Sequence, residues 1–138
     1  MFTTFGPDTL KELRNSWAQV DQYGHVSRFL DMHDVGDSML HAGLAEPVMD
    51  VEHFTLTYPD VAGLARDLRA IGATNALQQR ARGMTGKQAY QQMNSAYECY
   101  RQDGLLPASY EVIYGHAWKG QKKNQTEEIR VEFDSSLK

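Results

Sequence analysis

The stretch Phe2-Thr-Thr-Phe-Gly-Pro-Asp-Thr-Leu10 constrains this chain more than any other, because it joins a strand to a helix through a turn that neither can extend. Phe2, Thr3, Thr4 and Phe5 are aromatic or β-branched and suit a pleated surface, whereas Gly6-Pro7 stops the ladder. Pro7 is tolerated at a helix entrance, and Thr9 with Glu12 spells a capping box that would satisfy two orphan amides reciprocally. The expectation is a buried strand running into a helix. If the strand is parallel, the turn after it is where an open α/β sheet binds ligands. A chain that opens on such a strand reads as one part of a larger domain.

Composition narrows the function classes. At 138 residues with 41% apolar content, one domain with a real core is expected. A net charge of −4 offers no global attraction to nucleic acid or to an anionic membrane, so neither is an expected partner. Cys99 is the single cysteine, which excludes an intrachain disulfide and a cysteine-built zinc site and fits a reducing, cytoplasmic location. It also lacks a neighbouring histidine, so no catalytic thiol is expected. No apolar run approaches the roughly 18 residues of a membrane helix.

Leu10, Leu13, Trp17 and Val20 form the inward stripe of a first helix, with Lys11, Glu12, Arg14, Asn15 and Gln19 outward and Gly24 as its end. His25-Val-Ser-Arg-Phe29 follows as a connector carrying an imidazole and a guanidinium. Asp31 caps a second helix whose Val35, Met39, Leu40 and Ala42 face the core, and Gly43 stops it. Glu46 to Tyr58 reads as a strand whose apolar phase switches between Met49/Val51 and Phe54/Leu56/Tyr58, which a bulge near Glu52-His53 would explain. Pro59-Asp60 opens a third helix with Val61, Leu64, Ala65, Leu68 and Ile71 buried and Gly72 as exit. Ala73-Thr74-Asn75 reads as a turn, and the basic stretch from Gln78 to Gly86 as a mobile, lid-like loop.

Thr85 with Gln88 suggests a second capping box before a helix carrying Tyr90, Met93, Tyr97 and Tyr100 or Arg101 on one side, stopped by Gly104. Pro107 separates it from the next element, and Tyr110 to Trp118, apolar on both parities, reads as a central strand. The tail from Gly120 is polar, with Ile129, Val131 and Phe133 allowing an edge strand and the rest reading as disorder. His33, Asp37 and His41 share a helical face, but nothing near them in sequence completes a metal site, and an exposed polar face is expected instead.

Four stretches taken in order carry a family resemblance: Phe2 to Leu13, His25 to Phe29, Arg66-Asp-Leu-Arg-Ala-Ile-Gly-Ala-Thr-Asn75, and Leu106-Pro-Ala-Ser-Tyr-Glu-Val-Ile-Tyr-Gly-His-Ala-Trp118. Together they resemble the carboxyl-terminal half of the malonyl-acyl-carrier-protein O-methyltransferases of biotin synthesis, which are S-adenosylmethionine-dependent. The resemblance implies residues 1–119 as the carboxyl-terminal part of a class I, Rossmann-like methyltransferase sheet, and 120–138 as a separate tail. The fold class expected is α/β, about three strands with four helices, completed by self-association or by the absent half. The opening strand would be the fifth of that sheet, and the last two would form an antiparallel-containing edge.

The same resemblance implies the chemistry and its gaps. The family's glycine-rich loop and ribose-holding acid have no counterpart, and no Gly-x-Gly-x-x-Gly occurs in the sequence, so S-adenosylmethionine is not expected to bind this chain alone. The malonyl carboxylate is already ionised near neutral pH, so alignment matters and no catalytic base is required. Arg28 is the expected carboxylate-gripping cation with His25 as second donor; the competing readings are an Arg28 that caps a helix or pairs with Asp31 and a plain surface His25. Thr74 and Asn75 either touch substrate or stabilise their turn. Arg66, Arg69, Arg80 and Arg82, with Lys119, Lys122 and Lys123, would meet the acidic carrier protein or form a solvated face. Tyr90, Tyr97, Tyr100, Tyr110 and Tyr114 read as core before a thioester groove. A reading from another class is a non-catalytic binding or dimerisation module pairing through the open edge of the first strand, and a further alternative is a fragment of a related small-acid methyltransferase, since resemblance fixes acceptor choice poorly.

Overall fold

A computed structural model describes residues 1–73 and 86–120. The chain is α/β: strand β1 (Phe2–Phe5), helices α1 (Lys11–Ala18) and α2 (Met32–His41), strand β2 (Leu44–Tyr58), helices α3 (Val61–Ala70) and α4 (Lys87–Tyr97), a 3-10 turn (Glu98–Tyr100), and strand β3 (Leu106–Lys119). Four α-helices and three strands among the described residues match the count expected. The sheet order is β1-β3-β2, and β3 is antiparallel to both neighbours. The Tyr110–Trp118 stretch is therefore central, as its double-sided apolar pattern requires. Pro107 lies inside β3 and does not separate it from the preceding turn, which lengthens the strand toward Leu106.

The sheet carries a different core on each face. Leu10, Val26, Tyr58, Val61, Leu64, Met93, Tyr97, Leu106 and Ala108 form the main cluster, with Leu13, Trp17 and Leu68 packed against it. Pleating sends the alternate residues the other way. There Met39 of α2 and Ile113 of β3 are buried outside the main cluster, and Gly36 lies near Met49. Burying a side chain such as Leu64 contributes about 1.5–3 kcal/mol, so nine such residues on one face dominate the fold.

This two-faced packing explains the phase switch in β2 without a bulge at Glu52-His53. The register is continuous from Val48 to Tyr58, and its irregularity lies between Ala45 and Val48. Pro47 has no N–H to give the ladder, and Glu46 adopts φ 51, so the extra residue falls there. Met49 and Val51 belong to the α2 face, and Tyr58 to the main core.

The opening turn also departs from expectation. Leu10, with φ 53, occupies the helix entrance without a side-chain cap. Thr9 and Glu12 are buried but do not form a capping box, because both reach across to β3. Thr9 Oγ1 accepts from Glu111 N–H at 3.1 Å and donates to the Glu111 carbonyl, and the Leu10 N–H donates to the Ser109 carbonyl at 2.7 Å. β1 itself is largely exposed, since it pairs only with β3 among the described residues, and the pairing is antiparallel.

Other boundaries shift for local reasons. α1 ends at Ala18, before Gly24, because the Asp21 carboxylate folds the chain by accepting Tyr23 N–H. Leu40 on α2, Ala42 just after it and Ile71 after α3 are exposed. Asp31 caps α2 through His33 N–H, Asp60 caps α3 through Gly63 N–H, and Gly43, Gly72 and Gly104 take the left-handed conformation expected of chain stops. α4 starts from Gly86 at its N-cap, and the Thr85 half of the expected Thr85–Gln88 box lies outside the described residues. The lid-like loop and the tail beyond Gly120 lie outside the described residues.

Candidate functional site

The loop after α1 folds back on that helix and builds a polar cleft of about 390 Å³, bordered by Arg14, Trp17, Asp21, Tyr23, His25 and Arg28. His25 is its inner anchor. The imidazole stacks on the Trp17 indole at 3.8 Å and 7°, and its Nε2 lies 2.9 and 3.0 Å from the two Asp21 carboxylate oxygens. Its side chain is only 12% exposed, which rules out the plain surface reading. With Nε2 engaged, His25 orders the loop more than it offers a donor to a ligand.

Arg28 sits at the mouth of the cleft. It is exposed, and among the described residues its guanidinium makes no hydrogen bond or ion pair. The alternative pairing with Asp31 does not occur, because the Asp31 carboxylate serves His33. That use holds the Asp31 carboxyl below its ordinary range, the His33 N–H bond being the main cause. Phe29 ties the loop to the sheet by meeting Phe5 edge-on at 5.7 Å.

Arg14 is the residue the sequence pattern placed wrongly. Its position on the helical wheel faces outward, yet its guanidinium turns back to donate to the Pro7 carbonyl at 2.9 Å and the Thr9 carbonyl at 2.8 Å. It braces the β1–α1 turn and lines the cleft, while its buried Nε has no partner among the described residues. The one sequence signal for this role is its position one turn after a proline-containing loop whose carbonyls are left without helical partners.

The remaining candidates scatter. Arg66 and Arg69 are exposed on α3 and form no ion pair among the described residues. Thr74, Asn75, Arg80 and Arg82 lie outside the described residues. His33 and His41 are exposed and bonded locally, to the Asp31 carboxylate and the Asp37 carbonyl, so the four-residue repeat forms no shared cage. Asp8, His53 and Glu111 instead converge, their ligand-type atoms lying within 4.8 Å of one another. Their carboxylates already serve Asp8 N–H, 2.7 Å from Glu111, and the Lys11 ammonium, 3.2 Å from Asp8.

The tyrosines divide between core and surface. Tyr97 is fully buried, donates to the Pro107 carbonyl at 2.9 Å, and has its phenol pushed up by burial. Tyr110 and Tyr58 lie side by side with Asp67; burial pushes Tyr110 up to about 12 and raises Tyr58 as well. Tyr114 donates to Glu52 at 3.2 Å, and Tyr90 is partly exposed.

Among proteins of known name, the chain is 59% identical over 119 residues to a malonyl-[acyl-carrier protein] O-methyltransferase of Nitrosospira multiformis, covering 86% of this chain and 39% of that protein. A protein of the same name from Laribacter hongkongensis is 58% identical over 119 residues, with 86% and 40% covered. Another from Halorhodospira halophila is 49% identical over 138 residues, with 96% and 47% covered. No family model matches the chain. No described helix is long and apolar enough to cross a membrane. The chain spans half or less of the length of these relatives, and over most of its own length it is similar to proteins named malonyl-[acyl-carrier protein] O-methyltransferase.

Proposed function

We propose that this chain is the acceptor-side, carboxyl-terminal portion of a class I methyltransferase that esterifies the free carboxylate of malonyl-acyl-carrier protein in biotin synthesis. The sheet supports this reading: an order of β1-β3-β2 with an antiparallel central strand is what the closing edge of such a sheet requires. The observation that carries the site is Arg28, whose guanidinium makes no hydrogen bond or ion pair among the described residues, in a cleft where the Arg14 guanidinium and the His25 ring are already held. A guanidinium grips a carboxylate through two parallel bonds and stays charged at all working pH values. Arg28 thus orients the malonyl carboxylate, and the Trp17–His25 stack holds the loop in place. Thr74 and Asn75 are assigned to the same acceptor side.

The methyl donor of the family, S-adenosylmethionine, does not fit the residues present. A dinucleotide-type cradle needs closely spaced glycines after a parallel strand. No Gly-x-Gly occurs in the sequence, and every strand pairing described is antiparallel. We assign donor binding to the part of the relatives that this chain does not cover, and infer that the chain alone is inactive. Arg66, Arg69, Arg80 and Arg82 are assigned to the carrier protein.

Titration calorimetry with malonyl-pantetheine and, separately, with S-adenosylmethionine tests the reading. Weak binding of the first, reduced at least tenfold in Arg28→Ala, and none of the second are expected. Binding of S-adenosylmethionine, or unchanged malonyl-pantetheine binding in the variant, overturns it. The alternative of a dimerisation module rests on β1 pairing only with β3 among the described residues, and a dimer in sedimentation with neither ligand bound would favour it.

A further inference from the structure

We infer that Asp8, His53 and Glu111 bind a divalent transition ion of the Zn²⁺ class, at a site apart from the Arg28 cleft and independent of the function proposed above. Their ligand-type atoms lie within 4.8 Å of one another. Ligand atoms that share one ion, each about 2.1 Å from it, stand roughly 3–4 Å apart. Rotation of the exposed Asp8 and His53 side chains is enough to close the set.

The sheet brings the three together from distant parts of the chain. His53 and Glu111 are direct cross-strand partners in the β2–β3 register, so their side chains project from the same face. Asp8 arrives from the β1–α1 turn, which is fastened to Glu111: Gly6 N–H donates to the Glu111 carbonyl at 2.9 Å, and Thr9 Oγ1 bonds that carbonyl and the Glu111 N–H. The Glu111 side chain is held as well. Its Oε2 accepts the Asp8 N–H at 2.7 Å, and its carboxyl lies against Gly6, where any Cβ would collide with it.

Three ligand atoms stay open. Among the described residues, Glu111 Oε1 and Asp8 Oδ1 accept no hydrogen bond, and the His53 ring makes no hydrogen bond or ion pair. The other oxygen of each carboxylate is bonded, which is the outer support that orients ligating carboxylates. Lys11, 3.2 Å from Asp8 Oδ2, competes only as an exposed pair whose attraction water weakens. One imidazole with two carboxylates suits Zn²⁺ or Co²⁺, whereas Ca²⁺ and Mg²⁺ favour oxygen ligands alone.

The experiment titrates Zn²⁺ into the 138-residue chain against a chromophoric chelator, with thermal unfolding as a second readout. Saturable binding that raises the unfolding midpoint is expected, because the ion joins the turn to both strands. His53→Ala and Glu111→Gln, checked for fold by circular dichroism, should each weaken binding at least tenfold and abolish the rise. Lys11→Ala should tighten it by releasing Asp8. Binding that survives in a folded His53→Ala, or is lost instead in His33→Ala or His41→Ala, marks adventitious surface histidines and overturns the inference. So does Mg²⁺ or Ca²⁺ bound as tightly as Zn²⁺, or a chain that binds no Zn²⁺.

Discussion

The Glu12 carboxylate takes both donors of Ser109, the backbone N–H at 3.1 Å and the hydroxyl at 2.5 Å, joining α1 to the central strand across 97 residues. Glu12 is 5% exposed, so the bond is made away from competing water. With the Thr9–Glu111 and Leu10–Ser109 bonds it fixes the helix entrance to the sheet, and thereby the helix on which the cleft is built.

Replacing Glu12 with Ala strands both Ser109 donors. Hydrogen bonds to a charged group are worth roughly 1.5–3 kcal/mol each, and unmet buried donors add to the loss, so destabilisation of about 3 kcal/mol is expected. Urea unfolding checks it. A shift under 1 kcal/mol would show that water replaces the carboxylate.

Gly115 lies under the Phe2 ring, where an added Cβ would sit 2.3 Å from the nearest ring atom. The ring is the far end of a flexible, partly exposed side chain and can swing away, so Gly115→Ala is expected to fold with a loss of about 1 kcal/mol. Hydrogen exchange at Thr3 and Thr4 should accelerate, because the ring no longer holds the start of β1. Unaltered exchange would mean that β1 is held by its backbone bonds alone.

Burial holds Tyr110 at about 12, above the ordinary phenol value near 10, and raises Tyr58 beside it. A raised folded value means that the folded state binds the proton more tightly. The stabilisation is complete below about pH 10 and is lost as pH climbs from 10 toward 12. Stability measured across that window should fall less steeply in Tyr110→Phe than in the unaltered chain. Equal slopes would show that Tyr110 ionises as freely in the folded state as in the unfolded one.

His25→Ala removes the ring stacked on Trp17. Emission from the two tryptophans should shift to the red, since Trp17 gains water whereas Trp118 is already 61% exposed. Malonyl-pantetheine binding should weaken a fewfold through loss of loop order, less than in Arg28→Ala. An effect as large as that of Arg28→Ala would give His25 a direct contact with the ligand.

Elements with a strong local signal were legible in the residues themselves. Asp31 and Asp60 act on amides two and three positions away, and Gly43, Gly72 and Gly104 adopt a backbone conformation that other residues resist, so caps and stops could be read directly. The centrality of β3 followed from apolar residues on both parities. The place of Arg28 in an exposed loop was also open to reading, although its lack of a partner among the described residues was not.

Tertiary structure decided everything that depends on a distant partner. Thr9 and Glu12 have the spacing of a cap, yet Ser109 and Glu111 compete for the same oxygens and win, because β3 leaves donors there that burial would otherwise strand. The phase of β2 looked like a bulge from sequence because alternation cannot tell a shifted register from a strand whose two ends pack on opposite faces. Arg14 faces solvent on a helical wheel, but its long side chain reaches the carbonyls of a turn that exists only once β1 is docked. Local chemistry settles which element a residue joins; its bonding partner is settled by whichever buried group remains unsatisfied when the elements close together.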